Sequence, residues 1–243
     1  MSQQKRILIP LPSHDFDTTE VVVPWHRCRE AGMQIVFATP DGKRAYTDPY
    51  LLTGVIFGQL GAAKEVVELY HQELEQDDAF LNPLNYEQIE AEQFDGLLLP
   101  GGHAKGMVPY LESKVLQEKV LRFWQLERPV GAICHGTIVL ARTMDPRSGR
   151  SIVYEKRMTS LTKPLERTAY WLTAWARGRY YRTYPEYVQD EVTRNLRSKA
   201  NYVKGPSFNT PFVVEDGHLL TARWPKDAEL FAETFIRKVD KSS

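Results

Sequence analysis

The feature that most constrains the fold is a repeated alternation of short apolar runs, punctuated by proline or glycine, with longer amphipathic stretches. The apolar runs are RILIPLP (6–12), QIVFATP (34–40), FDGLLLPGG (94–102) and PVGAIC (129–134). The run at 94–102 is apolar at consecutive positions, as expected for a strand that is buried on both faces of a parallel sheet. The alternation therefore predicts an α/β fold with a mostly parallel central sheet sandwiched by helices.

The amphipathic stretches predict helices at 18–32, 62–76 and 113–127, and a further helix that starts directly after residue 134. Near the C-terminus, PFVVEDGHLLTAR (211–223) predicts two strands joined by a turn at Asp216–Gly217, followed by a closing helix. We interpret residues 1–243 as one domain, in which 164–204 is a helical insertion without a core of its own.

Charge, cysteine content and hydropathy exclude several classes of protein. Lysine and arginine number 31, as do aspartate and glutamate, and a net charge of zero argues against a broad nucleic-acid-binding face. Two cysteines are too few for a disulfide framework and suit a reducing compartment. No run approaches the roughly 18 apolar residues of a membrane helix, and Asp15 and Asp17 close the apolar run near the start. We therefore expect a cytoplasmic protein that does not bind membranes.

The segment PVGAICHGTIVL (129–140) places Cys134 at the corner between a predicted strand and a predicted helix. Gly131 and Gly136 leave room for the sharp turn of a nucleophile elbow. The positive end of the following helix would favour the reactive thiolate. The alternative is that Cys134 is a small buried hydrophobic residue, which is what we expect of Cys28 in the middle of a helix.

The residues that could cooperate with Cys134 each have a structural alternative. The strand that ends at Gly101–Gly102 offers backbone N–H groups, which suit an oxyanion hole at the carboxyl edge of the sheet. His103 is either a substrate ligand or an ordinary loop residue. Glu20 follows Asp17 by three positions, as in a capping box that needs no active site. The remaining histidines show no mutual metal-ligand spacing, so no metal site is predicted; they are His14, His26, His71 and His218.

Three segments taken together resemble the DJ-1/PfpI superfamily, also called ThiJ/PfpI, and especially its Hsp31-like, class I glutamine-amidotransferase-like branch: PGGH (100–103), AICHG (132–136) and TEVVVPWHRCREAG (19–32). The resemblance covers most of the chain and implies a flavodoxin-like sandwich. It implies that Cys134 is the elbow nucleophile and that Glu20 hydrogen-bonds its thiol. It also implies that the backbone N–H groups of Gly102 and His135 form the oxyanion hole. In hydrolase-like members His135 would be a general base, oriented by a third group.

The third group departs from the family pattern. Aligning KRMTSLTKPLE (156–166) by its strand puts Lys163 where Hsp31-like proteins commonly carry an acidic or amide residue. A lysine ammonium cannot accept the imidazole N–H of His135. Glu166, or an acidic residue from a neighbouring subunit, would have to substitute. Dimers are common in the family, and we expect a homodimer.

The predicted insertion contains LERTAYWLTAWARGRYYRTYPEYVQDEV (165–192), which interleaves aromatic residues with arginine. One interpretation is a helical hairpin that packs on the body through its aromatic side chains. A second is a lid over the Cys134 crevice, with an arginine for a carboxylate or dicarbonyl substrate. A nucleic-acid surface is the third, and the neutral chain disfavours it.

The resemblance implies a cysteine-dependent enzyme that acts on a small reactive carbonyl without glutathione, converting a 2-oxoaldehyde to a 2-hydroxy acid. This chemistry needs a thiolate, a proton shuttle and oxyanion donors, and we expect no cofactor. Alternatives are an amidase or peptidase like PfpI, and a stress-response redox sensor or chaperone in which Cys134 is oxidised. In the enzymatic interpretations the partner is a small-molecule substrate, with no nucleic acid.

Overall fold

A computed structural model describes residues 4–56 and 58–242, which contain a seven-stranded sheet. We number its strands in chain order: β1 Arg6–Pro10, β2 Gln34–Thr39, β3 Leu84–Asn85, β4 Gly96–Leu99, β5 Val130–Ile133, β6 Val213–Asp216 and β7 Leu219–Ala222. Across the sheet the order is β6–β7–β5–β4–β1–β2–β3. Every neighbouring pair is parallel except β6 and β7, which form an antiparallel hairpin.

Helices flank this sheet. Their bounds are α1 Thr18–Glu30, α2 Pro49–Thr53, α3 Lys64–Gln72, α4 Asp78–Leu81, α5 Val108–Glu112, α6 Lys114–Gln125, α7 Gly136–Arg142, α8 Lys163–Arg177, α9 Val188–Asn195 and α10 Ala228–Lys241. Helix α1 packs against α3 and α10, while α7 packs against α5, α6 and α9. The predicted mostly parallel α/β sandwich is therefore confirmed.

Several predicted boundaries shift by a few residues. The helix predicted at 62–76 is α3, which ends at Gln72 and is followed by a 3₁₀ turn at Leu74–Gln76. The helix predicted at 18–32 ends at Glu30 and contains Pro24 in its interior. The predicted C-terminal hairpin is present, and Gly217 in its turn has φ +62°, a conformation that glycine adopts at little cost.

The order of the strands puts a topological switch point at the carboxyl ends of β1 and β4. The chain builds β1, β2 and β3 outwards in one direction and then returns to add β4 and β5 on the other side of β1. Open α/β sheets bind ligands at such a switch point. The parallel register pairs Leu98 with Gly131. Three residues further along each chain, Gly101 and Cys134 therefore emerge side by side.

The region predicted as an insertion consists of α8, an irregular segment 178–187, α9 and a 3₁₀ turn at Lys199–Asn201. Two further strand pairs lie outside the main sheet, His14–Phe16 with Tyr46–Thr47 and Met144–Asp145 with Arg150–Ser151. Among the described residues, no helix combines the length and apolar character needed to cross a membrane.

Candidate active site

Cys134 occupies the sharp corner between β5 and α7. Its φ is +55°, a left-handed conformation that is rare for residues other than glycine and that costs about 1–3 kcal/mol. A Cβ atom at Gly136 would collide with the carbonyl oxygen of Leu99, so the start of α7 can approach β4 only with glycine there. The thiol at this corner is completely buried, as is that of Cys28 in α1. Burial of Cys28 confirms the hydrophobic role predicted for it.

Glu20 reaches the corner from the first turn of α1. The Asp17 side chain caps this helix by accepting from the N–H groups of Thr19 (2.9 Å) and Glu20 (3.1 Å). The reciprocal half of the predicted capping box is absent, because Glu20 Oε2 instead accepts from the N–H of Gly101 at 2.9 Å. The backbone N–H of Asp17 donates to the carbonyl of Gly101 at 2.8 Å. These bonds hold the start of α1 against the glycine turn after β4.

Gly101 is the point at which Glu20 and Cys134 converge. A Cβ built on Gly101 would lie 2.8 Å from Glu20 Oε2, 2.9 Å from Cys134 Cβ and 2.7 Å from the backbone nitrogen of His135. Glu20 Oε1 is buried and accepts no hydrogen bond of regular geometry from the described residues. The carboxyl nevertheless lies close enough to the thiol for each group to shift the pKa of the other.

His135 lies between Cys134 and the insertion. Its Nδ1 is 3.5 Å from Cys134 Sγ, and its Nε2 is 3.3 Å from Thr183 Oγ1. The Thr183 hydroxyl donates its hydrogen to the carbonyl of His103 at 2.6 Å, so towards His135 it can only accept. We therefore assign the ring proton of neutral His135 to Nε2, which leaves the Nδ1 lone pair facing the thiol.

Neither residue considered in the sequence for orienting His135 does so here. Lys163 begins α8 and pairs with Asp190 at 2.6 Å. Glu166 is buried, but its carboxylate accepts from Arg182 at 3.0 Å and from the N–H of Val188 at 2.9 Å. Thr183 takes the orienting position instead. A threonine in an irregular segment carries no sequence signal of this role, because only the path of the insertion brings it to His135.

The backbone donors around Cys134 divide into one that is occupied and two that are available. The N–H of Gly101 is used by Glu20, so Gly101 does not offer a free oxyanion donor as its position in the sequence suggested. Among the described residues no acceptor takes the N–H of Gly102 or that of His135 through a regular hydrogen bond. The N–H of His135 lies near the Cys134 sulfur. These two N–H groups match the donors implied by the resemblance.

Burial dominates the protonation behaviour of the site. It raises the pKa of Glu20 well above its ordinary value, and the neighbouring Asp17 carboxyl raises it further. Burial also raises the pKa of the Cys134 thiol, with an added contribution from Glu20. The backbone N–H of His135 lowers the pKa of this thiol, but burial and the neighbouring carboxyl groups raise it, so the thiolate is not favoured as the sequence predicted. Burial lowers the pKa of His135 and takes that of His103 to about 4, so both imidazoles are neutral near pH 7.

His103 follows the glycine turn and packs its ring against His135 in an edge-to-face arrangement, with 4.9 Å between ring centroids. One ligand atom from each of His103, Cys134 and His135 lies within 4.8 Å of the other two. Sequence spacing did not predict that His103 and His135 lie together, because the ends of two adjacent strands bring them into contact.

A largely apolar cavity of about 380 Å³ opens beside His103. We call it the apolar cavity. Its walls come from the start of α1, residues 51–55 and 60–62, helix α8 and the segment 224–226. The lining includes Asp17, Leu51, Val55, His103, Leu161, Leu165, Ala169, Leu172 and Tyr181. Since an apolar cavity of about 150 Å³ can hold benzene, this space is sufficient for a small substrate with an apolar side chain.

The aromatic residues of the insertion fall into two groups. Tyr181 is buried, with its ring edge-on to His103 at 6.5 Å, and Tyr180 donates to Asp15 at 3.2 Å. Trp171 and Trp175 on α8 are instead 69% and 67% exposed. Buried Tyr181 therefore follows α8, while the two tryptophans of α8 face solvent.

Comparison with known proteins gives a consistent picture. The family model described as ThiJ/PfpI family-like matches residues 11–206. The deglycase PfpI of Pyrococcus furiosus is 27% identical over 145 residues, which span 59% of this chain and 70% of the relative. A glutathione-independent glyoxalase of Schizosaccharomyces pombe is 25% identical over 231 residues, spanning 90% of this chain and 84% of the relative.

Solved structures share the fold at lower identity. The crystal structure of glyoxalase III from Candida albicans superposes with a TM-score of 0.71 at 20% identity, covering 96% of this chain and 97% of that one. The rapid encystment protein of 24 kDa from Francisella tularensis gives a TM-score of 0.76 at 19% identity, covering 97% and 99%. At these identities the likeness establishes the fold.

Proposed function

The chain belongs to the ThiJ/PfpI-like family, and from this membership we propose that it is a cysteine-dependent, glutathione-independent glyoxalase that converts 2-oxoaldehydes to 2-hydroxy acids. The observation that carries the proposal is the Cys134 corner. There a buried thiol has the His135 Nδ1 lone pair 3.5 Å away on one side and the Glu20 carboxyl on the other. Relatives named as glutathione-independent glyoxalases align over about nine-tenths of this chain.

The first step is addition of Cys134 Sγ to the aldehyde carbon. The thiol gives up its proton to His135 Nδ1, a carbon–sulfur bond forms, and the carbonyl oxygen takes the negative charge. The N–H groups of Gly102 and His135 stabilise that oxygen, which then takes a proton to give a hemithioacetal.

The second step moves hydrogen between the two substrate carbons. The proton on the former aldehyde carbon is removed and one is returned to the neighbouring ketone carbon, so that the first carbon is oxidised to a thioester and the second is reduced to an alcohol. Glu20 and His135 are the groups placed to carry this proton. Water then hydrolyses the thioester, which releases the 2-hydroxy acid and restores the thiol. Over the whole cycle one water is consumed, and no external oxidant or reductant is needed.

Incubation with methylglyoxal in the absence of glutathione tests the proposal, with lactate as the measured product. We expect lactate from the wild-type protein, none from Cys134→Ala, and a strong reduction with Glu20→Gln. Cys28→Ala is the matched control and should retain activity, because Cys28 is buried in α1 and makes no contribution to the site. If the wild type forms no lactate, or if Cys134→Ala forms as much as the wild type, the glyoxalase proposal is wrong.

Amide or peptide hydrolysis is a second candidate, which one observation favours. Thr183 supplies His135 with the orienting partner that such a general base needs. Threonine is uncharged, however, and stabilises an imidazolium less than a carboxylate does. Release of nitroaniline from peptide p-nitroanilides, lost in Cys134→Ala and slowed in Thr183→Val, would support hydrolysis; no release would exclude it for these substrates.

We also propose that the protein acts in the cytoplasm on a small-molecule substrate and forms a homodimer. Each chain would be a single domain, 1–243, in which 164–204 is a lid. The contacts of Thr183 and Tyr181 with the histidines of the site support the lid. Amide hydrogen exchange tests it: product binding should slow exchange in 178–187, and unchanged exchange there would argue against a lid. Light scattering of the purified protein tests the dimer.

A further inference from the structure

We infer that His103, Cys134 and His135 form a three-ligand site for Zn²⁺, in which the metal binds the nucleophile and reversibly inactivates it. The inference goes beyond the proposed function and does not depend on it, because the site consists of donor atoms whatever reaction they catalyse. One nitrogen from each imidazole and one sulfur are the ligand types that zinc prefers in proteins.

The distances between the donor atoms suit the ion. With zinc–sulfur near 2.3 Å and zinc–nitrogen near 2.0–2.1 Å, tetrahedral geometry puts a sulfur and a nitrogen ligand about 3.6 Å apart. Cys134 Sγ and His135 Nδ1 already stand 3.5 Å apart. All three donors lie within 4.8 Å of one another, and movement of the His103 side chain towards the ion would close the set. A water or an anion would fill the fourth position.

The surroundings of the two histidines support the same assignment. Metal-bound histidines usually donate their second ring N–H to an oxygen, which fixes the ring. His135 Nε2 has this partner in Thr183 Oγ1 at 3.3 Å. The Nε2 atom of His103 is buried and has no hydrogen-bond partner among the described residues. A buried nitrogen without a partner is unfavourable, and rotation of the ring towards a bound cation would satisfy one of its nitrogens.

The local charges also permit a cation. Arg142 and Arg182 act on His135 as positive charges, but each is paired with a carboxylate, Arg142 with Glu191 at 2.6 Å and Arg182 with Glu166 at 3.0 Å. The carboxyl groups of Glu20 and Asp17 lie on the other side of Cys134 and interact with it electrostatically. His103 lines the apolar cavity, so one of the three ligands faces a space outside the packed core. On binding, the thiol loses its proton to solvent and a zinc–sulfur bond forms.

Calorimetric titration with Zn²⁺ and absorption spectra with Co²⁺ test the inference on the full chain without substrate. We expect one ion per chain and, with Co²⁺, a thiolate-to-metal charge-transfer band. Cys134→Ser should lose that band. His103→Gln should weaken zinc binding by more than the roughly 10–100-fold expected for Thr183→Val, which removes only the partner of a ligand. Circular dichroism confirms that each variant is folded.

Two variants serve as matched controls. Cys28→Ser removes the other buried thiol, and His218→Gln removes a histidine whose Nε2 is likewise buried and unpartnered but which packs against Trp124, with 4.3 Å between ring centroids. Both should bind Zn²⁺ as the wild type does. The inference is overturned if the wild-type Co²⁺ spectrum lacks a thiolate band or if His103→Gln binds zinc as tightly as the wild type. Lactate formation without metal binding would refute this site alone, and metal binding without lactate formation would refute the glyoxalase proposal alone.

Discussion

Replacing Gly101 with alanine adds one methyl group at the place where the three groups of the site meet. The new Cβ would lie 2.7 Å from the His135 nitrogen, 2.8 Å from Glu20 Oε2 and 2.9 Å from Cys134 Cβ, whereas ordinary Cβ contacts are 3.4–4 Å. Two of these neighbours belong to the elbow between β5 and α7 and cannot move without distorting it. The methyl group would therefore displace the Glu20 carboxyl and cover the N–H of His135.

The expected loss of activity can be worked out from those contacts. Removing one oxyanion donor lowers kcat by about 10²–10³-fold, and displacement of Glu20 from the thiol adds to this loss. Overpacking of a buried site costs about 1–3 kcal/mol. In a chain of this size that cost lowers Tm by roughly 2–12 °C. The Gly101→Ala protein should therefore stay folded at room temperature while forming lactate at least about 100-fold more slowly.

Gly96→Ala is the matched control for Gly101→Ala. Its Cβ would meet Phe235 Cζ at 2.8 Å and Ile7 Cδ1 at 3.2 Å, in the core between β4 and α10 and away from the thiol. It should lower Tm by a similar amount but leave kcat/KM per folded molecule near the wild-type value. Lactate formation from methylglyoxal at 25 °C and thermal melts of both variants measure these quantities. The reasoning is refuted if folded Gly101→Ala keeps most of its activity, or if Gly96→Ala loses as much.

Three further predictions follow from other contacts. Thr183→Val should lower kcat/KM for methylglyoxal by roughly 2- to 13-fold, the equivalent of one hydrogen bond of about 0.5–1.5 kcal/mol. Thr183→Ser, which keeps the hydroxyl, should retain the wild-type kcat/KM. Equal kcat/KM values in the two variants would contradict the orienting role. Ala169→Phe partly fills the apolar cavity and should reduce kcat/KM for phenylglyoxal about tenfold more than for methylglyoxal, whereas the exposed Ala176→Phe on the same helix should change neither. Arg223→Met leaves the fully buried Asp227 without its ion-pair partner (2.8 Å) and should cost about 3–5 kcal/mol in urea unfolding; a loss below about 1 kcal/mol, the range of exposed pairs, would refute this.

Most of the sheet could be predicted from the sequence, because parallel strands buried on both faces leave nearly continuous apolar runs. The helices next to them were placed to within a few residues for the same reason, since their apolar spacing is local. The helix predicted at 62–76 ended early at Gln72. Exact ends depend on capping and on tertiary packing, which the periodicity does not contain.

The residues of the candidate site were predictable to different degrees. The position of Cys134 followed from the glycines around it, since a strand that turns directly into a helix tolerates only small neighbours. Glu20 remained ambiguous between capping and chemistry until its carboxyl was seen to accept from Gly101, while Asp17 alone caps α1. Proximity of a helix start to a strand end is a long-range property, and local sequence patterns are silent about it.

By itself, the sequence determined the α/β architecture and the strand-to-helix corner at Cys134, because both arise from apolar periodicity and from where glycine permits a tight turn. Only the tertiary structure decided what surrounds the thiol. It brought Thr183 to His135 in place of Lys163 or Glu166, and it placed His103 beside Cys134. The physical reason is that these groups are joined by the parallel register of β4 and β5 and by the path of the insertion, which packing of the whole chain sets and no local spacing records.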